Sequence, residues 1–341
     1  MEIDLVLDST LTPAELAELG QLAEANGIRA IWCASYLDGR DPFSNLVKLA
    51  ESTREIRLGP IALTPYELHP FRIAMNLLTL NEICPGRAQA IIGGGGEVTM
   101  ALNIDRSRRV RAVREAIDIV QGCIHERPFS YQGELYEIEG YQPRWVTAPP
   151  PTVYAAANRP QMLKMSARAS DGIMMSDLST SLSAQAIGAV RGHLKDFGRD
   201  PADFRFNNFM AWYVYDDLAE ARHEAKRWIG FRALFREYMM SEFMSPEDFQ
   251  LILDHVPQIY AMAAKDEDSV AGLPDRILDD CVNHLTLTAA TDNMDRVLEH
   301  LLELKAVGCT EIALELKKHQ AHGIKLIGER VIPAVSDRRP A

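Results

Sequence analysis

Along most of this chain, short apolar runs give way to longer stretches whose apolar residues recur every three or four positions, and the exchange repeats. Ile3 to Asp8 predicts a strand. Pro13 to Asn26 predicts a helix, since Leu16, Leu19, Leu22 and Ala23 share one face, Pro13 fits the first turn and Gly27 closes the far end. The pair recurs as a strand over 28–34 with a helix over 42–53, a strand over 56–64 with a helix over 71–83, and a strand over 88–92. A strongly amphipathic helix follows over 106–124, with apolar residues at 110, 113, 117, 120 and 124, then a small hairpin from Phe129 that turns at Gly133. Strands over 152–157, 172–175 and 204–215 alternate with helices over 160–169 and 183–197. The stretch from 218 to about 268 breaks the rhythm: it reads as helical, is rich in Met and Phe, and carries no strand signal. A helix over 292–307, a strand over 311–316 and a closing helix over 320–331 resume it.

Apolar strands separated by helices of ten or more residues imply parallel βαβ units covered on both faces. Eight such strands, each followed by helical sequence, predict an α/β fold of the (β/α)8 TIM-barrel type, with a helical insertion before the last strand, in preference to an open doubly wound sheet. Length alone allows about two domains at ~150 residues each. The strand count instead spreads all of 1–341 over one barrel, with 218–283 inserted as a lid.

Charge narrows the class of partner. With 36 Lys and Arg against 48 Asp and Glu, the net charge is −12, and no basic block offers the footprint that nucleic acid or an anionic membrane surface requires. A small-molecule substrate is expected. The N-terminal MEIDLVLD carries acids where a secretory signal carries Lys or Arg, and no stretch reaches the ~18 uninterrupted apolar residues of a membrane span. Five widely spaced cysteines, with no CxxC pair, are read as reduced core thiols of a cytoplasmic protein, and no metal site is expected.

In a barrel, active-site residues belong where strands end. Gly93 to Gly96, followed by Glu97, comes directly after the strand over 88–92. Its spacing fits neither a dinucleotide fingerprint nor a P-loop, but a Gly run lets backbone approach a flat ligand closely. Asp8 ends the first strand, on the face of Val6 and Asp4, and reads either as an acid or base at the barrel mouth or as a turn residue with Ser9 and Thr10. Ser35 and Tyr36 follow the second strand; Tyr36 is a proton donor or an aromatic wall. His69, before Pro70, is a catalytic imidazole or a loop residue bonded to backbone. Asn158-Arg159-Pro160 opens a helix where free amides and a guanidinium suit an anion, and Ser176 after the sixth strand adds a hydroxyl. Trp212 completes the set as a substrate contact.

Taken in order, Trp32 to Phe43, Ile56 to Pro70, Leu80 to Glu97, Val153 to Pro160, Ala169 to Gly172 and Ile324 to Pro333 resemble the luciferase-like flavin and coenzyme F-420-dependent oxidoreductases, most nearly the methylene-tetrahydromethanopterin reductases. The resemblance spans the chain except the insertion. It implies a barrel that holds a deazaflavin, or alternatively FMN, at its C-terminal mouth and passes hydride to or from a small organic substrate such as a methylene-tetrahydropterin. It also implies a non-prolyl cis peptide at Ile61-Ala62 behind the ring and Glu97 as an acid. Cofactor contacts would come from Ser35, Thr64, Gly94 and Gly95 on one side and from Ala157, Asn158, Arg159 and Ser176 on the other.

Departures from the family pattern carry information. Ser35-Tyr36 stands where many F-420 members have Asp-His, leaving Tyr36 as the stand-in for the imidazole. Val6 occupies the place of the reductase glutamate, with Asp8 one pleat further on. Ser179 and Asp279 replace lysines that grip a sugar phosphate, which argues against that substrate. A homodimer is expected. Two competing readings are an FMN-dependent monooxygenase served by a flavin reductase, and a non-catalytic ligand-binding barrel.

Overall fold

The computed structural model describes residues 1–232 and 235–336. Its first half alternates strictly: β1 (Glu2–Leu7), α1 (Pro13–Ala25), β2 (Ala30–Ala34), α2 (Pro42–Ser52), β3 (Arg57–Ile61), α3 (Pro70–Ile83) and β4 (Gln89–Ile92). Next come α4 (Glu97–Ala101), α5 (Arg109–His125), the hairpin β5 (Phe129–Gln132) and β6 (Glu137–Tyr141), β7 (Thr152–Ala156), α6 (Pro160–Ala169), β8 (Gly172–Ser176), α7 (Thr180–Asp196) and β9 (Arg205–Tyr215). Four helices, α8 (Leu218–Arg232), α9 (Glu237–Met240), α10 (Pro246–Ala264) and α11 (Asp275–Leu285), lead to β10 (Thr286–Ala290), α12 (Asp295–Val307), β11 (Glu311–Leu316), α13 (Gln320–Leu326) and α14 (Ile332–Val335).

Helix starts follow local chemistry. Thr12 and Glu15 form a reciprocal capping box on α1, and the Asp41 carboxylate caps α2 by accepting from Ser44 N. Both helices then begin on a proline, whose missing N–H leaves nothing unsatisfied there.

The main sheet runs β3-β2-β1-β11-β9-β8-β7-β4, with every pairing parallel. Bridges at Leu58–Ala88 and Leu63–Ile92 join β3 to β4, so eight strands close a (β/α)8 barrel. The seam depends on Gly59, because a Cβ there would overlap the Gln89 carbonyl of β4. The ninth strand of the sheet, β10, is not foreseen by the hydrophobic pattern. It pairs with the upper half of β9, Thr286 beside Ala211 through Ala290 beside Tyr215. Its five residues begin immediately after the last residue of α11, with no Gly or Pro between to mark the change.

Apolar side chains fill two layers. One lies between sheet and helices, and includes Ile3, Leu5, Leu7, Trp212 and Leu314; the other lies within the barrel and under the insertion, and includes Val6, Trp32, Tyr154, Phe209, Tyr213 and Ala313. The strand period of two separates them. At the N-terminal end the interior is polar: Asp4 accepts from Arg29, from Trp32 Nε1 at 2.9 Å and from Asn207 Nδ2 at 2.8 Å, while Tyr154 and Arg205 bond Glu311. All five cysteines are buried and none is in a disulfide; burial pushes the Cys33 thiol up to about 11 and Cys123 to about 12. Among the described residues no helix is long and apolar enough to cross a membrane.

Candidate active site

At the C-terminal ends of the strands the mouth has two unlike walls. One is made of small residues on adjacent strands: Ala62 follows β3, Gly93 follows β4 and Ala156 ends β7. A Cβ built on Gly93 would lie 3.1 Å from Ala156 Cβ and 3.6 Å from Ala62 Cβ, so the three backbones meet with little side chain between them. Ala62 is exposed to the mouth, and the Ile61–Ala62 peptide is cis, as the resemblance implies. Thr64 is buried just beyond, its hydroxyl accepting weakly from Tyr66 N. Ser35 is tied to the same place by Ser35 N donating to Ile61 O at 2.8 Å.

A basic rim borders this wall. The Arg109 stem lies where a Gly94 side chain would be, and Arg106 reaches the Gly95 carbonyl at 3.5 Å. Gly95 takes φ of +79°, a left-handed conformation that costs glycine little. On the next strand's loop, Arg159 sits before α6 with its guanidinium 4.5 Å from the centre of the Tyr238 ring. Arg159, Arg236, Glu237, Tyr238 and Ser241 line a cavity of about 580 Å³ between the barrel and α9.

The opposite wall is charged and is where sequence reasoning missed most. Glu315, 2% exposed, ends the inward face of β11. Its Oε1 accepts from Tyr36 OH at 2.7 Å and lies 3.2 Å from Lys317 Nζ; its Oε2 accepts from Trp228 Nε1 of α8 at 2.7 Å. Lys317 Nζ also lies 3.6 Å from Asp8 Oδ2 and 4.6 Å from the Tyr36 ring centre. Burial would lower the Lys317 ammonium, but Glu315 and Asp8 outweigh it and hold the group above its usual value. A readable signal existed: in Glu311-Ile-Ala-Leu-Glu-Leu-Lys, charges fall at every second position except Ala313, a spacing that directs all of them inward.

A second ion pair stands beside it. Arg232, at the end of α8, donates to Asp177 Oδ2 at 2.7 Å and to Ser176 Oγ at 2.9 Å. Burial pushes the Asp177 carboxyl up while Arg232 opposes the shift. Trp228 and Arg232 thus bring the insertion down onto the mouth.

Several sequence-based assignments change here. Asp8 is paired with Lys317: partial burial raises its carboxyl, yet the Lys317 ammonium and the Thr10 N–H outweigh burial and leave it below the ordinary carboxylate range. Asn158 pairs its amide with the Ser176 backbone, donating at 2.8 Å and accepting at 2.9 Å, and Ala157 N donates to Met174 O, so the Ala157 backbone donor is engaged within the barrel. The Ser176 hydroxyl donates to Asp177. His69 caps α3, its Nδ1 accepting from Phe71 N at 3.2 Å, with its exposed ring edge-on to Tyr136, so it is the backbone-bonded loop residue of the two readings. Trp212 is no substrate contact. It is 1% exposed on the outward face of β9, beside Gly323 of α13. The Glu97 backbone opens α4, but its side chain lies outside the described residues. The positions of the sugar-phosphate lysines are engaged otherwise, Ser179 with Glu242 and Asp279 with Arg222 and Lys226.

Comparison with known proteins adds to this geometry. The profile described as luciferase-like monooxygenase matches residues 3–311. A 5,10-methylenetetrahydromethanopterin reductase from Archaeoglobus fulgidus is 24% identical over 324 residues, covering 94% of this chain and 95% of that protein. An F-420-dependent glucose-6-phosphate dehydrogenase from Kineococcus radiotolerans is 26% identical over 306 residues, 84% of this chain and 90% of the relative. The solved structure of the coenzyme F-420-dependent tetrahydromethanopterin reductase from Methanopyrus kandleri superposes with a TM-score of 0.81 at 19% identity, over 98% of this chain and 99% of the other.

Proposed function

The chain belongs to the luciferase-like monooxygenase family, and from that premise we propose that it is an oxidoreductase passing hydride between coenzyme F-420 and a small organic substrate, a methylene-tetrahydropterin being the first to test. One observation carries the reading. The flat wall of Ala62, Gly93 and Ala156 is bordered by Arg106, Arg109 and Arg159, and the Tyr36 phenol stands on the charged wall of the same mouth.

The residues present fit such a cofactor. The small-residue wall accepts the face of a planar ring, and the arginines offer the anionic tail the charge that a −12 surface lacks elsewhere. When bound there, the deazaflavin would supply or accept the hydride. Tyr36 is the proton donor to the substrate atom left with an electron pair. Trp228 and Arg232 cover the mouth and keep water from the transfer, the lid role expected of the insertion. Glu97 remains proposed as a second acid.

Titration of the purified protein with F-420, followed by cofactor fluorescence, tests the reading: saturable binding together with oxidation of reduced F-420 by methylene-tetrahydromethanopterin is the expected result. Binding of FMN alone, with oxygen uptake from reduced FMN, would instead identify a monooxygenase served by a flavin reductase. Affinity for neither leaves a non-catalytic barrel. The buried thiols support a reducing, cytoplasmic setting, and the family resemblance supports a homodimer, which sedimentation velocity measures.

A further inference from the structure

Tyr36 must regain a proton after each turnover, and it is half-buried: Glu315 takes its hydroxyl, Lys317 lies over its ring, and Trp228 holds the far oxygen of the same carboxylate. What surrounds it is a chain of titratable groups, in hydrogen-bond or ion-pair contact from one to the next. Tyr36 OH and Lys317 Nζ both meet the same atom, Glu315 Oε1, at 2.7 and 3.2 Å. Lys317 Nζ continues to Asp8 Oδ2 at 3.6 Å, a separation that a small movement of the lysine closes, and the Asp8 side chain is partly open to solvent. Trp228 fixes Glu315 from the other side, so Oε1 is left to serve Tyr36 and Lys317 together.

We infer that Glu315 and Lys317 are positioning residues that return a proton from solvent at Asp8 to Tyr36. The inference rests on Tyr36 being the donor proposed above. The substrate atom that keeps an electron pair when its carbon gains hydride takes the Tyr36 proton. The phenolate recovers one from the Lys317 ammonium through Glu315 Oε1, which is a carboxylate before and after, and the neutral lysine is recharged by water beside Asp8. One proton enters from solvent for each one given to substrate, and the electrons are those of the hydride alone. The Asp8 carboxylate, paired with Lys317 and partly open to solvent, keeps the entry point attractive to a proton.

The test separates proton delivery from charge and from folding. Glu315→Gln preserves size and can still bond Trp228 and Tyr36, but it cannot pass a proton. Lys317→Arg keeps the cation, and a guanidinium does not give its proton up. With reduced F-420 and methylene-tetrahydromethanopterin, both variants should lose about 10²-fold in kcat with KM little changed and a larger solvent isotope effect. Full activity in Lys317→Arg would mean that only its charge matters, and would overturn the relay. Tyr36→Phe alone should lose as much as Tyr36→Phe combined with Glu315→Gln; additive losses would overturn the relay while leaving Tyr36 as donor, whereas an unaffected Tyr36→Phe would sink the donor reading itself. A second readout needs no cofactor or substrate. The tyrosinate absorbance that disappears in Tyr36→Phe should appear at lower pH in Glu315→Gln, because the amide no longer opposes phenolate charge. No movement would show that the two side chains are uncoupled and would end the inference.

Discussion

Tyr36 and Asp8 were legible because both follow inward positions at strand ends, a relation that residue spacing alone supplies. Replacing Tyr36 by Phe should lower kcat about 10²-fold and lower the Tm slightly, since the buried Glu315 carboxylate keeps Lys317 and Trp228 but loses one donor. Asp8→Asn should cost less than tenfold, because water beside Lys317 can still recharge the lysine without the Asp8 counter-ion; steady-state kinetics compares the two. Trp212 was misplaced for a physical reason. Ten of the eleven residues of β9 are buried, on both faces of the strand, so hydrophobicity there cannot say which side faces the mouth. At the opposite end of the barrel, burial raises the Asp4 carboxyl to about 6, against the pull of Arg29. Between pH 4 and 6 the folded chain therefore holds a proton that the unfolded chain has lost, and this group's contribution to stability falls as pH rises through that window. Thermal unfolding of the wild type should show that decline relative to Asp4→Asn.

Among the elements, the barrel strands and their helices were readable because each one buries an apolar face at its own period. The pairing of β10 with β9, and the descent of α8 onto the mouth, were not. Both depend on what a residue meets after folding. Arg232 and Trp228 look like ordinary members of a helix with mixed composition until Asp177 and Glu315 are placed beneath them. Removing Arg232 leaves the Asp177 carboxylate, 0% exposed as a side chain, without its counter-ion. Arg232→Ala should therefore destabilise the protein by about 2 kcal/mol in urea unfolding, less than for a fully buried pair because the guanidinium is partly solvated. Hydrogen exchange should rise first in α8. Gly59→Ala should cost about 2–3 kcal/mol by forcing β3 from β4, and the loss should appear as faster exchange along that seam.

For the whole molecule, an acidic surface with a local basic rim predicts how the cofactor is held. Affinity for F-420 should fall with added salt, and Arg109→Ala and Arg159→Ala should each weaken binding about tenfold by fluorescence titration. An affinity indifferent to both substitutions would place the anionic tail elsewhere. The match over 3–311 and the TM-score of 0.81 show that the architecture is shared with distant relatives, while Ser35-Tyr36 marks where this chain differs from the pattern that the resemblance implies.

The order of strands, the barrel, and the end at which chemistry belongs follow from the sequence by itself, since period and chain direction are local properties. Which side chains remain available there was decided only by tertiary structure. Asn158 is bonded to the neighbouring strand, Ser176 to Asp177 and Arg232, Asp8 is paired with a lysine more than three hundred residues later in the chain, and Glu315 becomes the centre of the charged wall because Tyr36, Lys317 and Trp228 converge on it. Hydrogen bonds and charge pairs of this kind join residues that no spacing rule relates, and their strength depends on the burial that the closed barrel creates.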